Sequence, residues 1–206
     1  MRFKSGLIIG VFGLIVVVLG DFYFAIGITG LTYFALLELF RMAEFTGIKP
    51  ATKTTLFSCF MLIISTYLEL KGIIGEEISN AILPISSIGI CTWLLLQPKP
   101  GKISDIATSI FGLFYLGFLP SYWIRLRELD SIFIGSNYQG NGFSDLGYIS
   151  GFNITLISCL IIVSSDIGSY IFGKIFGKKS LSPISPSKTV EGLIGGIFCS
   201  ISTGIL

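Results

Sequence analysis

The type and the position of Asp166 suggest chemistry. It ends the apolar run ITLISCLIIVSSD. A carboxylate at the edge of an apolar segment is costly unless it is hydrated, paired or bound to a metal ion. Asp166 is therefore a candidate functional residue and a candidate metal ligand. The alternative is a carboxylate hydrated at a helix end, and position alone does not separate the two.

A second polar stretch, SPSKTVE, follows about twenty residues later in the chain. Its Ser-Pro pair predicts a helix start, with Ser185 as the N-cap and Pro186 in the first turn. Free N–H groups in that turn, together with Ser187, Lys188 and Thr189, are typical of an anion site. The alternative is a plain helix start that lysines hold at the membrane surface. The stretch is not a P-loop, because the Gly-x4-Gly-Lys-Ser/Thr order is absent.

Together the two stretches contain the parts that phosphoryl or nucleotidyl transfer uses: a carboxylate for a divalent ion, cations and N–H donors. Glu191 lies early in the predicted helix, where its negative charge suits the helix dipole. Gly173 and Gly177 lie four residues apart and so share one helix face. Such spacing permits close approach of either a neighbouring helix or a ligand.

The composition indicates a membrane protein. The chain has 206 residues, of which 52% are hydrophobic and 13% are charged, whereas soluble domains carry about 25% charged residues. Its apolar runs are continuous rather than alternating, which predicts an all-α, polytopic transmembrane bundle and excludes a β-barrel. There is no histidine, and the four cysteines are dispersed in apolar runs, so zinc and histidine chemistry are not expected. A net charge of +2 gives no reason to expect a nucleic-acid partner.

About seven membrane helices are predicted, and the first two are expected to form a tight hairpin that turns near Asp21. The predicted helices lie at about residues 6–20, 22–40, 55–70, 78–96, 104–120, 146–166 and 190–206. We assign residues 1–145 to the N-terminal transmembrane helices and 146–206 to the start of a catalytic transmembrane region. Alternate loops are basic, which places the N-terminus and the loop 167–189 in the cytoplasm. Arg125 and Arg127, in a predicted outer loop, run against this assignment.

The stretch from Asp166 to Gly196 resembles the cytoplasmic segment of bacterial phosphatidate cytidylyltransferases, also called CDP-diacylglycerol synthases. The pattern of that family is approximately D-x-[GA]-[AS]-Y-x-x-G-[KR]-x-[FL]-G, followed by S-P-x-K-T-x-E-G-x-x-G-G. The sequence DIGSYIFGKIFG matches the first part, and SPSKTVEGLIGG matches the second. The residues before this stretch agree with the family in hydropathy and helix count rather than in motifs.

The resemblance implies a magnesium-dependent enzyme of phospholipid biosynthesis that transfers CMP from CTP to phosphatidic acid, giving CDP-diacylglycerol and pyrophosphate. It also implies a location in the bacterial inner membrane, with CTP, phosphatidic acid and the bilayer as partners, and leaves a homodimer open. Asp166, Lys188 and Glu191 are the expected catalytic residues, and Asp166 is expected either to bind the metal ion or to orient a substrate-binding lysine. The residues expected to contact the substrate phosphates are Ser169, Tyr170, Lys174, Ser185, Ser187 and Thr189.

One part of the family pattern is missing from this chain. Family members continue with a segment that carries K-R-x4-K-D and P-G-H-G-G-x-x-D-R-x-D, and a chain without histidine cannot contain the second of these motifs. We therefore expect a truncated copy or a partial gene model, and we expect the isolated chain to be inactive or nearly so. Three rival interpretations stay open: a CTP-dependent transferase acting on an isoprenoid lipid, a membrane transporter, and a non-catalytic membrane subunit. Paired broken helices, which transporters usually show, are not evident in the sequence.

Overall fold

The structure is a computed structural model that describes residues 13–129, 150–182 and 185–205, without the side chain of Pro186. A helical stretch at residues 13–19 comes first. The longer helices are α1 (Asp21–Phe45), α2 (Thr52–Leu70), α3 (Glu76–Leu95), α4 (Ile103–Arg127), α5 (Gly151–Phe176) and α6 (Val190–Ile205). Two short strands, β1 (Ser180–Ser182) and β2 (Ser185–Thr189), lie between α5 and α6.

The predicted all-α, polytopic fold is confirmed. Helices α1 to α5 have 19 to 26 residues each and are apolar enough to cross a membrane, where about 20 residues are needed. Each of the seven predicted segments overlaps one described helical stretch, although parts of the first and sixth segments and the last residue of the seventh lie outside the described residues. Helix α6 has 16 residues and is shorter than a typical span. The chain is a multi-pass membrane protein.

The chain divides into two compact units, Met1–Phe152 and Asn153–Leu206. The boundary predicted between residues 145 and 146 falls outside the described residues, and that division stays a prediction. The first unit contains α1 to α4. The second contains most of α5, both strands and α6.

The predicted hairpin turn near Asp21 is present in the first unit. Gly20 and Asp21 have φ values of 62° and 45°, in the left-handed region that reverses a chain sharply. The helical stretch 13–19 then packs back along α1, where a Cβ built on Gly27 would lie 2.5 Å from Cγ1 of Val16. Glycine at position 27 therefore allows the two helical segments to approach closely.

Large apolar side chains from all four helices form the core of the first unit. Leu36 and Phe40 of α1 are almost completely buried, at 0% and 1% exposure. They pack beside Gly112 of α4, where an added Cβ would lie 2.8 Å from Cδ1 of Leu36. The remaining buried members of this cluster are Ala51, Cys59, Leu62, Ile90, Leu94 and Leu113.

Helix α4 contains a π-helical segment, Leu113–Phe118. Gly117 of this segment faces α2, and a Cβ built on it would lie 2.6 Å from Sγ of Cys59. In the same segment, the rings of Phe114 and Phe118 stack with their centroids 5.4 Å apart. The segment thus lies against α2 at Gly117, and Phe118 packs against the core cluster.

Polar contacts tie the helices of the first unit together at both ends. At one end, the buried Asp105 carboxylate accepts hydrogen bonds of 2.8 Å from the backbone N–H groups of Lys49 and Lys102. At the opposite end, Arg125 donates two hydrogen bonds, of 2.6 and 2.7 Å, to Glu69. The basic loops after α1 and α3 therefore share one end, as their charge predicted. Glu69 neutralises Arg125, so this arginine opposes the predicted topology less than the sequence indicated.

Two predictions about the second unit are wrong in secondary structure. Helix α5 continues to Phe176, ten residues beyond its predicted end at Asp166, so the predicted loop 167–189 begins as helix. The polar residues that follow Asp166 lie on faces of α5, and so they do not interrupt the helix. Ser185 and Pro186 lie in β2 rather than at a helix start. The strands form an antiparallel hairpin, with Ser182 opposite Ser185 and an irregular register towards the Ser180–Thr189 pair.

Candidate functional site

Helices α5 and α6 of the second unit pack through glycine and serine, so that their backbones nearly touch. A Cβ built on Gly192 would lie 2.8 Å from the backbone oxygen of Ser169 and 3.1 Å from Cα of Gly173. One turn further along α6, a Cβ on Gly196 would lie 3.0 Å from the backbone oxygen of Ser165. Small residues at four-residue spacing permit such close packing between membrane helices. The helix-packing interpretation of Gly173 is therefore confirmed.

A second row of contacts runs beside the first one. A Cβ built on Gly168 of α5 would lie 2.6 Å from Sγ of Cys199, and Gly195 of α6 lies directly against the side chain of Phe172. Together the two rows fix the rotation of α5 about its own axis relative to α6. They also determine which side chains of α5 stay exposed.

Thr189 connects the hairpin to both helices. Its Oγ1 accepts a 3.2 Å hydrogen bond from the backbone N–H of Gly192, which is the geometry of an N-cap. The same oxygen lies 3.1 Å from a Cβ built on Gly173. The methyl group of Thr189 lies 2.8 Å from a Cβ built on Gly177. Thr189, and not Ser185 as predicted, caps the helix that follows the motif.

Glu191 holds the other end of the hairpin. Its Oε2 accepts hydrogen bonds from the backbone N–H groups of Lys178 and Lys179, at 3.1 and 3.4 Å. Beside it, the N–H of Val190 donates to the backbone oxygen of Lys179, at 3.0 Å. Hydrogen bonds from its own N–H and from that of Lys178 hold the pKa of Glu191 below its usual range. Glu191 therefore stays ionised at neutral pH.

These contacts change the predicted anion site. The first three N–H groups of α6 are engaged within the chain, by the backbone of Lys179, by the carboxylate of Glu191 and by Thr189. A phosphate at this position would therefore meet side chains rather than free helix N–H groups. Ser187 and Lys188 are exposed on β2, whereas Ser185 is half-buried. Among the described residues, the side chain of Lys188 has no hydrogen-bond or ion-pair partner.

Asp166, Tyr170 and Lys174 form an exposed strip on α5, which we call the Asp166 strip. They follow at four-residue spacing, so they lie next to one another along the helix, and all three are exposed. Nζ of Lys174 lies 5.7 Å from the centre of the Tyr170 ring. Within the part of the chain that the structure describes, the Asp166 carboxylate has no hydrogen-bond or ion-pair partner. Ser169, beside the strip, donates to the backbone oxygen of Asp166, at 2.9 Å.

The described residues contain no group of three or more His, Cys, Asp or Glu side chains that would enclose a metal ion. In the second unit, Asp166 and Glu191 are the two carboxylates of the sequence, and Glu191 is already engaged by the backbone. Magnesium in phosphate-transfer sites is commonly held by one or two carboxylates together with substrate phosphates. An exposed Asp166 fits the role of one such ligand.

The structure brings some predicted site residues together and leaves others apart. Thr189 meets the glycines of α5, and the three residues of the Asp166 strip lie along one helix face. Lys178 and Lys179 were not predicted as backbone partners of Glu191. Ser165 was not predicted on the packing face either. The four-residue spacing from Ser165 to Ser169 and Gly173 was the available signal.

The chain shares sequence with known proteins. The chain matches the cytidylyltransferase family over residues 1–206. It is 39% identical over 92% of its length to a phosphatidate cytidylyltransferase of Synechocystis sp., covering 65% of that protein. It is 28% identical to the chloroplastic phosphatidate cytidylyltransferase 5 of Arabidopsis thaliana, over 93% of this chain and 49% of that protein. It is 26% identical to the phosphatidate cytidylyltransferase of Bacillus subtilis, over 97% of this chain and 68% of that protein. No solved structure matches the chain.

Proposed function

The chain belongs to the cytidylyltransferase family, and from that premise we propose that the protein transfers CMP from CTP to phosphatidic acid. The products are CDP-diacylglycerol and pyrophosphate. The proposal rests on the structure of the second unit. There the hairpin bears lysine and hydroxyl side chains, and it is fixed to helix α5, which exposes Asp166. Relatives from two bacteria and a plant bear the name phosphatidate cytidylyltransferase.

The proposed reaction needs cations near a crowded set of phosphate groups. A phosphate oxygen of phosphatidic acid attacks the α-phosphorus of CTP, a new P–O bond forms, and the bond to the leaving pyrophosphate breaks. Fixed positive charges stabilise the negative charge that gathers on these oxygens. Lys174 and Lys188 are both exposed, and we assign them to the phosphate groups of the substrates. Ser187, also exposed on β2, supplies a hydroxyl donor.

Asp166 is proposed as the residue that holds magnesium. Bound magnesium would neutralise phosphate charge and polarise the bond that breaks. Asp166 suits this role because its carboxylate is exposed and has no partner among the described residues. Tyr170 and Ser169, its neighbours on α5, are proposed to border the same substrate site.

The lipid substrate fits a site at the membrane surface. Helix α5 has 26 residues, about 39 Å at 1.5 Å per residue, which exceeds the thickness of about 30 Å of the hydrocarbon core. Part of the helix therefore extends into the headgroup region. We propose that its C-terminal end and the hairpin face the cytoplasm of a bacterium, across the inner membrane. The four lysines in 174–188 agree with that orientation.

A transfer assay tests the proposed function. Membranes from cells that express the gene at its own locus are given CTP labelled in the cytidine, with phosphatidic acid, with a polyprenyl phosphate, or with no added lipid. We expect labelled CDP-diacylglycerol only in the sample that received phosphatidic acid. A matched lysine pair sharpens the test: Lys188→Ala should reduce the product, whereas Lys53→Ala, an exposed lysine of the first unit, should not. Label transferred to the polyprenyl phosphate instead would overturn the proposed substrate.

Two further statements stay predictions. The isolated 206-residue chain is expected to be inactive in the same assay, and a normal rate from the purified chain would contradict that expectation. A homodimer would appear as a doubled mass in detergent or in nanodiscs, after the mass of bound lipid is subtracted.

A further inference from the structure

We infer that Glu191 is a positioning residue, which holds the connection after α5 against the first turn of α6 so that Lys178 and Lys179 face the substrate phosphates. The sequence pattern placed Glu191 among the catalytic residues. In the structure its Oε2 is instead engaged by two consecutive backbone N–H groups, those of Lys178 and Lys179. The inference rests on the proposed function for its activity measurements and on geometry alone for the rest.

The contacts around Glu191 form a clamp at the base of the hairpin. One side consists of Glu191 with the backbone N–H groups of Lys178 and Lys179. The other side consists of Val190, whose N–H donates to the backbone oxygen of Lys179, and of Thr189, which caps α6 through Gly192. Both ends of the hairpin are thereby joined to one helical turn.

This clamp leaves the lysine side chains accessible. Lys178 and Lys179 contribute their backbone to it, and both residues are exposed. A carboxylate that accepts two N–H groups is oriented by them, and its own charge is balanced locally. Such a group is poorly placed to accept a proton from a substrate or to bind a metal ion. Its effect on the reaction is therefore exerted through the lysines.

Two conservative variants separate positioning from direct chemistry. Glu191→Gln keeps the length of the side chain and a carbonyl oxygen that accepts from N–H groups, but it loses the charge. Glu191→Asp keeps the charge, but it is one methylene too short to reach Lys178 and Lys179. A positioning role therefore predicts that the Gln variant retains more activity than the Asp variant. A proton-transfer or metal-binding role predicts the reverse order.

The first measurement is hydrogen exchange of the backbone amides, with the 206-residue chain in nanodiscs. A hydrogen bond worth about 1.4 kcal/mol corresponds to a tenfold change in an equilibrium constant. Glu191→Ala and Glu191→Asp should therefore speed exchange at Lys178 and Lys179 about tenfold, and Glu191→Gln should change it less. Glu77→Gln, an exposed acid of α3, is the matched control and should leave both amides unchanged. Unchanged exchange in the Ala variant would overturn the inference.

The second measurement is steady-state kinetics in the membrane assay described above. Misplaced lysines should raise the KM for CTP about tenfold in Glu191→Asp, with kcat changed less than about threefold, because uniform binding is lost. General loss of folding would lower the amount of active enzyme and kcat without raising KM. A Gln variant with no activity beside an active Asp variant would contradict the inference. If no CTP-dependent product forms at all, the proposed function fails while the exchange result still decides the role of Glu191.

Discussion

In the first unit the acids that are mostly buried meet partners on other segments, whereas in the second unit Asp166 and Lys188 are exposed and have no partner within the described part of the chain. Glu69, with 7% of its side chain exposed, is bound by both ends of the Arg125 guanidinium. Asp105 is bound by two loops at once. Glu69 and Asp105 therefore stabilise the structure of the first unit, whereas the charges of Asp166 and Lys188 stay exposed.

The packing between helices also differs between the two units. The core of the first unit is made of large side chains such as Leu36, Phe40 and Ile90. The helices of the second unit meet through backbone atoms at Gly192 and Gly196. In the second unit we expect side-chain size at the helix contact to affect stability most, and exposed charge to affect the proposed activity most. Substitutions in the two units should therefore separate stability from activity.

Breaking the ion pair of Arg125 is expected to have the largest effect on stability. Arg125→Ala leaves the Glu69 carboxylate buried without its partner, and removing one member of a buried pair costs about 3–5 kcal/mol. The free energy of unfolding in mixed micelles measures this loss. Arg41→Ala removes an exposed arginine of α1 and should change the free energy by less than about 0.5 kcal/mol. Equal losses in the two variants would show that the pair is not special.

Asp166→Asn is expected to show the opposite behaviour. Removal of one electrostatic group of a transfer site typically lowers kcat about 10²–10³-fold, whereas loss of an exposed, unpartnered charge changes stability by less than about 0.5 kcal/mol. The labelled CTP assay and an unfolding curve, taken on the same preparation, measure both quantities. Glu76→Gln, at the exposed start of α3, serves as the control. An Asp166→Asn protein that is unstable yet active would reverse the comparison.

Gly192→Ala tests the helix contact of the second unit. The added methyl group would lie 2.8 Å from the backbone oxygen of Ser169, and overpacking of this kind costs about 1–3 kcal/mol. In Gly30→Ala the added group meets nothing within 4 Å, so the higher helix propensity of alanine should stabilise by up to about 1 kcal/mol. Opposite shifts in thermal midpoint are expected for the two variants. A neutral Gly192→Ala would mean that the helices separate easily.

The smallest expected effect on stability concerns Lys71, whose Nζ lies 2.7 Å from Oδ1 of Asp21. The hydrogen bond with Asp21 raises the pKa of Lys71, although partial burial opposes the rise. The stabilisation is therefore fully present at neutral pH and is lost as the pH rises through the folded-state pKa, above the usual value of about 10.4. Lys71→Gln should cost less than about 1 kcal/mol at pH 7. The difference from the unmodified chain should shrink at pH 11, and a difference that grows there would contradict this account.

Hydropathy predicted the fold class and the positions of the helices because lipid allows few alternatives for the backbone. It did not predict the end of α5. Polar residues after Asp166 indicated a loop, but Ser169 and Gly173 face α6 while Tyr170 and Lys174 lie on the exposed strip. A helix that has a partner on one face tolerates such residues on both faces. The contacts of Asp105 were not predictable either, because Lys49 lies 56 positions away in the sequence.

The sequence pattern indicated a set of candidate site residues, but it did not indicate their local geometry. The Ser185-Pro186 pair is a good helix-start pattern, yet Thr189 provides the cap four residues later. Two capping candidates lie close together in this sequence, and the choice between them depends on the hairpin. The hairpin in turn depends on contacts of Thr189 with the glycines of α5. Local propensity contains no information about such contacts.

The π-helical segment of α4, Leu113–Phe118, has a consequence for how the gene can change. A π turn holds one residue more than an α turn. Deleting one residue here would let the helix close as a continuous α-helix, and the residues after it would keep nearly the same orientation, because the α turn needs one residue less. Arg125 would then still face Glu69. Loops at the surface commonly absorb insertions and deletions, and this stretch of α4 is expected to tolerate the loss of one residue within a helix.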